Sequence, residues 1–352
     1  MIGNSLAGIY GTGAPPAPAS YVIMGTDTSP YIDAYAFNDI SGFGTKYSNP
    51  ATLPSGLGNM TVINTSSSAV AIALGTSPWI TAYAWDAATG FGTRYSNPAT
   101  TPTTQTRSVA FNPASTSIVT GQFSFGNPQM YAYAWSDVTG FGTKYSDPPT
   151  WMGTFGTLGV AFNPAGNVLA ASGYDSPYIA AWAWTSGSGF GTRYANPATI
   201  PTGASNNNII FNPAGTVVAR AGNSSGYPDV YAWSSGFGTR YANPGGTAPG
   251  ATNDVVFNPA GTDIVFGGNN SPWIYAFPWS SGFGTKYSDP ATLPGGGGNG
   301  VQFNSAGSAV AVTGAGTPFI QIYPWTSGTG FGTKYANPAT LPSGTGYRLA
   351  FK

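Results

Sequence analysis

The sequence predicts an all-β fold, a ring of repeated four-stranded units, and three observations carry that prediction. The first is a motif, Gly-Phe-Gly-Thr-Lys-Tyr-Ser-Asn-Pro at residues 42–50, which occurs seven times with small variations. Its phenylalanines are Phe43, Phe91, Phe141, Phe190, Phe237, Phe283 and Phe331, spaced 48, 50, 49, 47, 46 and 48 residues apart. The second is punctuation: 51 glycines and 30 prolines interrupt the chain, and no run between them is long enough for a helix. The third is that each period divides into four strand-length runs rich in aromatic and β-branched residues. Seven periods of four antiparallel strands predict a seven-bladed β-propeller.

Residues 1–19 stand outside the repeat. A small apolar piece at residues 6–10 is followed by the Pro-rich stretch 11–18, an extended and fairly stiff connector. The expectation is either a frayed terminal tail or an N-terminal arm that docks to a larger assembly, with the propeller spanning 20–352. The third copy shows the four strands, named a to d from the centre outward. Residues 108–111 end at Asn112-Pro113, and 117–120 follow. After a turn at 126–128, residues 130–135 alternate Met, Tyr, Ala, Tyr, Ala, Trp, and 141–145 end at Asp147-Pro148. The first copy opens directly on a strand b, residues 21–24. The last residues, 347–351, match strand a of the other copies. The C-terminal strand is therefore expected to become the innermost strand of the first blade, which closes the ring and removes two exposed sheet edges.

Composition narrows the function. Only 6% of residues are charged, 11 basic against 11 acidic, and every acid is Asp. With no basic cluster, nucleic acid is excluded as a partner. Aromatic residues make up 14%, too many for a disordered chain. No apolar run approaches the roughly 20 residues of a membrane-spanning helix, so no membrane insertion is expected. The N-terminus has no basic region and no long apolar core, which predicts no secretory signal. His, Cys and Glu are absent.

Residues 162–166, Phe-Asn-Pro-Ala-Gly, followed by residues 169–173, Leu-Ala-Ala-Ser-Gly, resemble the turn between strands a and b of WD40-like propeller repeats. Trp184, Trp233, Trp279 and Trp325 close strand c where that family carries Trp-Asp. The resemblance covers residues 20–352 and departs from the family in lacking Gly-His before strand a. A narrower resemblance is to propellers in tailed-bacteriophage virion proteins. It rests on Ser29-Pro30-Tyr31-Ile32, Tyr323-Pro324-Trp325 and residues 334–342, Lys-Tyr-Ala-Asn-Pro-Ala-Thr-Leu-Pro, with a likeness to tail and fibre proteins at residues 7–13. It implies a virion surface protein on tail, fibre or capsid, assembled in the host cytoplasm, whose partners are other virion proteins met through residues 1–19.

In strand d, simple alternation puts Phe43, Thr45 and Tyr47 on one face and Gly44 and Lys46 on the other. The basic position is filled in every copy, by Lys46, Arg94, Lys144, Arg193, Arg240, Lys286 and Lys334. A belt for acidic ligands and protection of an outer edge both explain it. Spread round the rim, these charges favour edge protection. The repeated Phe and Tyr are expected to pack between blades. The candidate ligand-binding residues are those after the proline of each b-to-c turn: Tyr31, Trp79, Gln129, Tyr178, Asp229, Trp273 and Phe319. They vary from copy to copy, and aromatic faces ringed by Asn, Ser and Thr suit a host-surface glycan. Packing against the neighbouring loop is the alternative.

No catalytic residue, metal site or cofactor is expected. A nucleophilic serine needs a base, zinc needs His or Cys, and the scattered Asp residues single out no pair. The glycines at 295–298 have neither the Lys-Thr nor the helix of a phosphate loop. The sequence thus predicts a non-enzymatic virion structural protein that adheres to the host through propeller loops. The alternatives are a purely architectural decoration or joint protein, and a soluble bacterial lectin or interaction scaffold.

Overall fold

Strands form where the alternating apolar runs lie. The computed structural model describes residues 20–201, 203, 208–222, 226–245 and 250–352; the expected N-terminal arm, 1–19, lies outside them. Among the described residues there is no helix. In the third repeat, strands Thr106–Phe111, Ser117–Gln122, Met130–Ser136 and Gly140–Lys144 pair antiparallel in sequence order as one sheet. The inner strands stand side by side around a channel. Gly58–Ile63 lies against Thr106–Phe111, followed by Thr157–Phe162, Ile209–Phe211, Thr252–Phe257, Gly300–Phe303 and Gly346–Phe351, which returns to Gly58–Ile63. The arrangement is that of a β-propeller.

The chain ends meet in one sheet. Gly346–Phe351 pairs antiparallel with Ser20–Thr26, with Val22 opposite Phe351 and Ile23 opposite Ala350. Tyr21 and Lys352 exchange backbone hydrogen bonds of 3.0 and 2.9 Å. A single parallel bridge, Arg348 to Met60, joins this sheet to the next.

Two repeated devices explain the repeated residues. The Asn of each a-to-b turn caps that turn with its own side chain. Asn112 Oδ1 accepts from the backbone N–H of Thr116 and Ser117, both at 2.8 Å, and Asn64, Asn163, Asn212, Asn258 and Asn304 do the same. The second device is the d motif, where simple alternation fails. Tyr35 pairs with Lys46 and Phe37 with Phe43, so strand d carries one extra residue across this step. Such a bulge reverses the faces beyond it. Phe43 packs on Tyr35 and Phe37 of its own sheet, whereas Tyr47 crosses to Trp85 of the next. Each sheet is thereby stapled to its successor. Tyr47, Tyr95, Tyr145, Tyr194, Tyr241 and Tyr287 meet Trp85, Trp135, Trp184, Trp233, Trp279 and Trp325 edge-on, and Tyr335 meets Phe37, at 5.0 to 5.4 Å. Gly140, at φ +78°, lies beneath Tyr95, where a Cβ would come within 2.8 Å of the tyrosine.

Four strands per blade is not uniform. In the sixth repeat the sheet has three, Thr252–Phe257, Asp263–Gly268 and Ile274–Pro278, and strand d shrinks to one bridge between Trp279 and Phe283. In the seventh, strand d is only Gly330–Phe331. Both repeats carry proline, Pro278 and Pro324, where the first has Ala36. The proline carbonyls still accept from Gly284 N and Gly332 N at 2.9 and 2.8 Å, but proline returns no N–H to the ladder.

Candidate functional site

The seven candidates after the b-to-c prolines lie one to a repeat, and none lines the central cavity. Tyr31, Trp79, Tyr178, Trp273 and Phe319 are half-buried with φ between +63° and +70°. Their carbonyls close the hairpins, accepting from Thr26, Leu74, Gly173, Gly268 and Gly314 N. Gln129 and Asp229 are fully buried and offer no face to solvent. Gln129 Nε2 donates to Gly153 O at 2.6 Å. Asp229 is out of register with the other six. Counted back from the strand-c tryptophan, it occupies the place of Asp33, because the proline of the fifth repeat, Pro228, stands two residues nearer the tryptophan than Pro30 does to Phe37. There it pairs with Arg220 and Arg240 as Asp33 pairs with Lys46.

The basic residues of strand d form no free belt. Lys46 binds Asp33, and Lys144 and Lys286 bind Asp147 and Asp289 three residues on, each at 2.5 Å. Arg94, Arg193 and Lys334 donate to Asn97, Asn196 and Asn337 at 2.8, 2.7 and 2.6 Å. Each charge secures the end of its own outer strand.

A different set of residues converges at the channel mouth. The second residues of the inner strands point there, and they differ more than the rim motif does: Asn59, Arg107, Leu158, Asn253 and Tyr347, with Asn299 just before Gly300–Phe303. With Arg348, Phe123 and Tyr174 they line a cavity of about 360 Å³. Below it a second cavity of about 380 Å³ is reached past Arg348 and is lined by Asp254, Asn208 and Gln302.

The electrostatics are unusual for so uncharged a chain. Arg348 is buried and its Nη1 donates to Arg107 O at 3.3 Å. Burial pulls the Arg348 guanidinium below its usual value; Asp254 opposes that and Arg107 adds to it. Burial likewise lowers Arg107, with Tyr347 opposing. Asp254 is buried, and burial pushes its carboxyl up against the pull of Arg348 and of hydrogen bonds from Val301, Asn208 and Val255. Those bonds are 2.9 Å from Val301 N, 2.8 Å from Asn208 Nδ2 and 3.0 Å from Val255 N. Asn59 donates from Nδ2 to Thr106 O at 2.7 Å, while its buried Oδ1 has no partner among the described residues. Two cations, a free amide acceptor and a carboxyl of raised basicity can hold an oxygen-rich anion or ester and take a proton from water beside it.

Sequence reasoning looked for variation at the turns and missed this set. The signal was available: the residue at the start of strand a is polar or charged in most copies, Asn59, Arg107, Asn208, Asn253 and Asn299 among them, just before the apolar run of the strand.

No protein-family model matches the chain, and no curated protein sequence matches it. Among solved structures it is similar to a candidate 6-phosphogluconolactonase from Bacteroides uniformis, at 16% identity and TM-score 0.75 over 95% of this chain and 99% of that one. It is also similar to one from Bacteroides fragilis, at 15% identity and TM-score 0.69 over 95% and 98%. A third is the periplasmic gluconolactonase of Pseudomonas aeruginosa, at 11% and 0.68 over 95% and 99%. At these identities the likeness establishes the fold alone. It still corrects two expectations. The reading as a phage virion protein rested on motif resemblance, and nothing among these structures points to a phage. The exclusion of catalysis rested on missing His and Cys, yet these three propellers of the same architecture bear lactonase names.

Proposed function

We propose that the channel mouth binds a small polyhydroxylated lactone and hydrolyses it, on a propeller of seven blades in residues 20–352 closed by the C-terminal strand. The observation that carries the reading is the meeting of Arg107 and Arg348 in a cavity lined by Asn59, Asn253 and Asn299, with the buried carboxyl of Asp254 in the adjoining cavity that Arg348 also lines. The names of the similar structures support it. The blade count is supported by the seven motif copies and by the pairing of Gly346–Phe351 with Ser20–Thr26.

In this reading Asn59, Asn253 and Asn299 hold the hydroxyls. Arg348 polarises the lactone carbonyl and stabilises the oxyanion. Asp254 takes a proton from water as the water oxygen bonds to the carbonyl carbon. The bond from that carbon to the ring oxygen then breaks, and the ring oxygen leaves as a hydroxyl with the proton. The product is a hydroxy acid whose carboxylate faces the two guanidiniums.

The test is proton release in a pH-stat with glucono-1,5-lactone, after subtraction of spontaneous hydrolysis. Release above background is expected, reduced at least ~10²-fold by Asp254→Asn and by Arg348→Met. A folded protein that adds nothing to the spontaneous rate for 1,5- and 1,4-lactones removes the reading.

A further inference from the structure

Beside the mouth, the b-to-c turn of the third repeat departs from the others. From strand start to proline it runs Ser117 to Pro128, two residues longer than Ala69 to Pro78 in the second repeat. The extra length carries Phe123 and Phe125. It pairs with the loop leading into the fourth repeat through an isolated bridge, Phe125 to Phe155. Gly126 N donates to Thr154 O and Gly156 N to Ser124 O, both at 2.8 Å. Asp175 Oδ2 fixes the same loop by accepting from Thr154 N, Phe155 N and Thr154 Oγ1 at 3.2, 3.0 and 2.7 Å.

This held loop presents a cluster of rings. Phe123 meets Phe125 at 5.7 Å and Tyr174 at 6.3 Å, and Phe155 meets Phe125 at 5.1 Å and Tyr174 at 6.5 Å. Phe125 is 76% exposed, Tyr174 45% and Phe155 36%. An exposed cluster of this kind beside a cavity marks a contact surface. Phe123 and Tyr174 line the same cavity as Arg107 and Arg348, and the Arg107 guanidinium stands 6.0 Å from the centre of the Phe123 ring. The apolar surface and the cationic site are therefore one continuous wall. Asp175, next to Tyr174, has its Oδ2 engaged by the loop.

We propose that the mouth takes a ligand of two parts, an anionic head held by Arg107 and Arg348 and an aryl ring stacked on Phe123, Phe125 and Tyr174. This rests on the mouth being the ligand site, as above, and adds the class of molecule: an aryl-bearing carboxylate or phosphate, or a lactone that opens to such an acid. A ring seated on this wall adds face and edge contacts that a bare anion cannot make.

Calorimetric titration of the whole chain with phenyl phosphate and with inorganic phosphate tests it. Phenyl phosphate should bind about tenfold more tightly. Phe125→Ala with Tyr174→Ala should remove most of that preference without changing the melting temperature, because both side chains are largely outside the core. Arg107→Met should weaken both ligands. Equal affinity for the two probes overturns the proposal, as does a preference that survives the double variant. Concentration-dependent self-association dispersed by Phe125→Ser also overturns it, since the rings would then serve a second copy. The two readings fail separately. Phe125-dependent aryl binding without lactone turnover leaves this inference standing and removes the hydrolytic one. Turnover of gluconolactone with no aryl preference does the reverse.

Discussion

At the outer rim, Tyr95 packs on Trp135 as Tyr47 packs on Trp85, and the glycine beneath each is the same. At the channel mouth, the second residues of the inner strands are Asn59, Arg107, Leu158, Asn253 and Tyr347, a mixed set in which Asn recurs beside cationic, apolar and aromatic side chains. The rim repeats because every blade must solve the same packing problem against its successor. The mouth does not, because all blades there face one shared space and each can contribute a different group. In this chain repetition marks the frame and its interruption marks the site.

Substitutions can break that contrast. The largest effect should come from Trp85→Ala, which removes a ring touching Tyr21, Tyr47 and Phe91 at 5.0 to 5.1 Å. A loss of about 3–5 kcal/mol is expected in denaturant titration. Arg107→Met at the mouth should instead leave stability within about 0.5 kcal/mol while weakening anion binding. A rim variant that spares stability, or a mouth variant that ruins it, would collapse the distinction.

Gly140→Ala comes next, with a cost of about 1–3 kcal/mol from positive φ and collision with Tyr95. Thermal melting beside the wild type reads it.

Asp254 gives a pH signature. Its folded pKa is raised, so its contribution to stability is fully present below the unfolded value, about 3.9, and is lost as pH rises through the folded value. The stability of Asp254→Asn relative to wild type should therefore improve as pH rises through that window. A difference independent of pH would show that the carboxyl is not held in a site that disfavours its charge.

The smallest effect separates two copies of one motif. Tyr95 Oη donates to Asp137 O at 2.6 Å, so Tyr95→Phe should cost about 1 kcal/mol. Tyr194 has no such bond among the described residues, because the turn from Trp233 to Phe237 is two residues shorter than that from Trp135 to Phe141. Tyr194→Phe should change stability by less than about 0.5 kcal/mol.

Most of the strand pattern was legible in advance. Residues 108–111, 117–120 and 130–135 fall inside observed strands, and the match of residues 347–351 to strand a correctly placed the C-terminal strand beside Ser20–Thr26. The bulge in strand d was not legible, since a bulge is a relation between two strands and not a property of one. The short outer strands of the sixth and seventh repeats were legible in principle from Pro278 and Pro324. Counting from the turn proline also set Asp229 two residues out of register, which counting from the tryptophan corrects.

The sequence by itself determined the repeated four-strand unit, its caps and its interblade staples, because each depends on residues a fixed short distance apart or one period apart. Only the tertiary structure decided that Arg107, Arg348 and Asn59 share one cavity, with Asp254 in the cavity beneath it that Arg348 also lines. They come from four different repeats, and nothing in their spacing distinguishes them from solvated surface residues. They meet because strand a is the one part of each blade that approaches the common axis. Side chains nearly a whole chain apart, such as Asn59 and Arg348, become neighbours there.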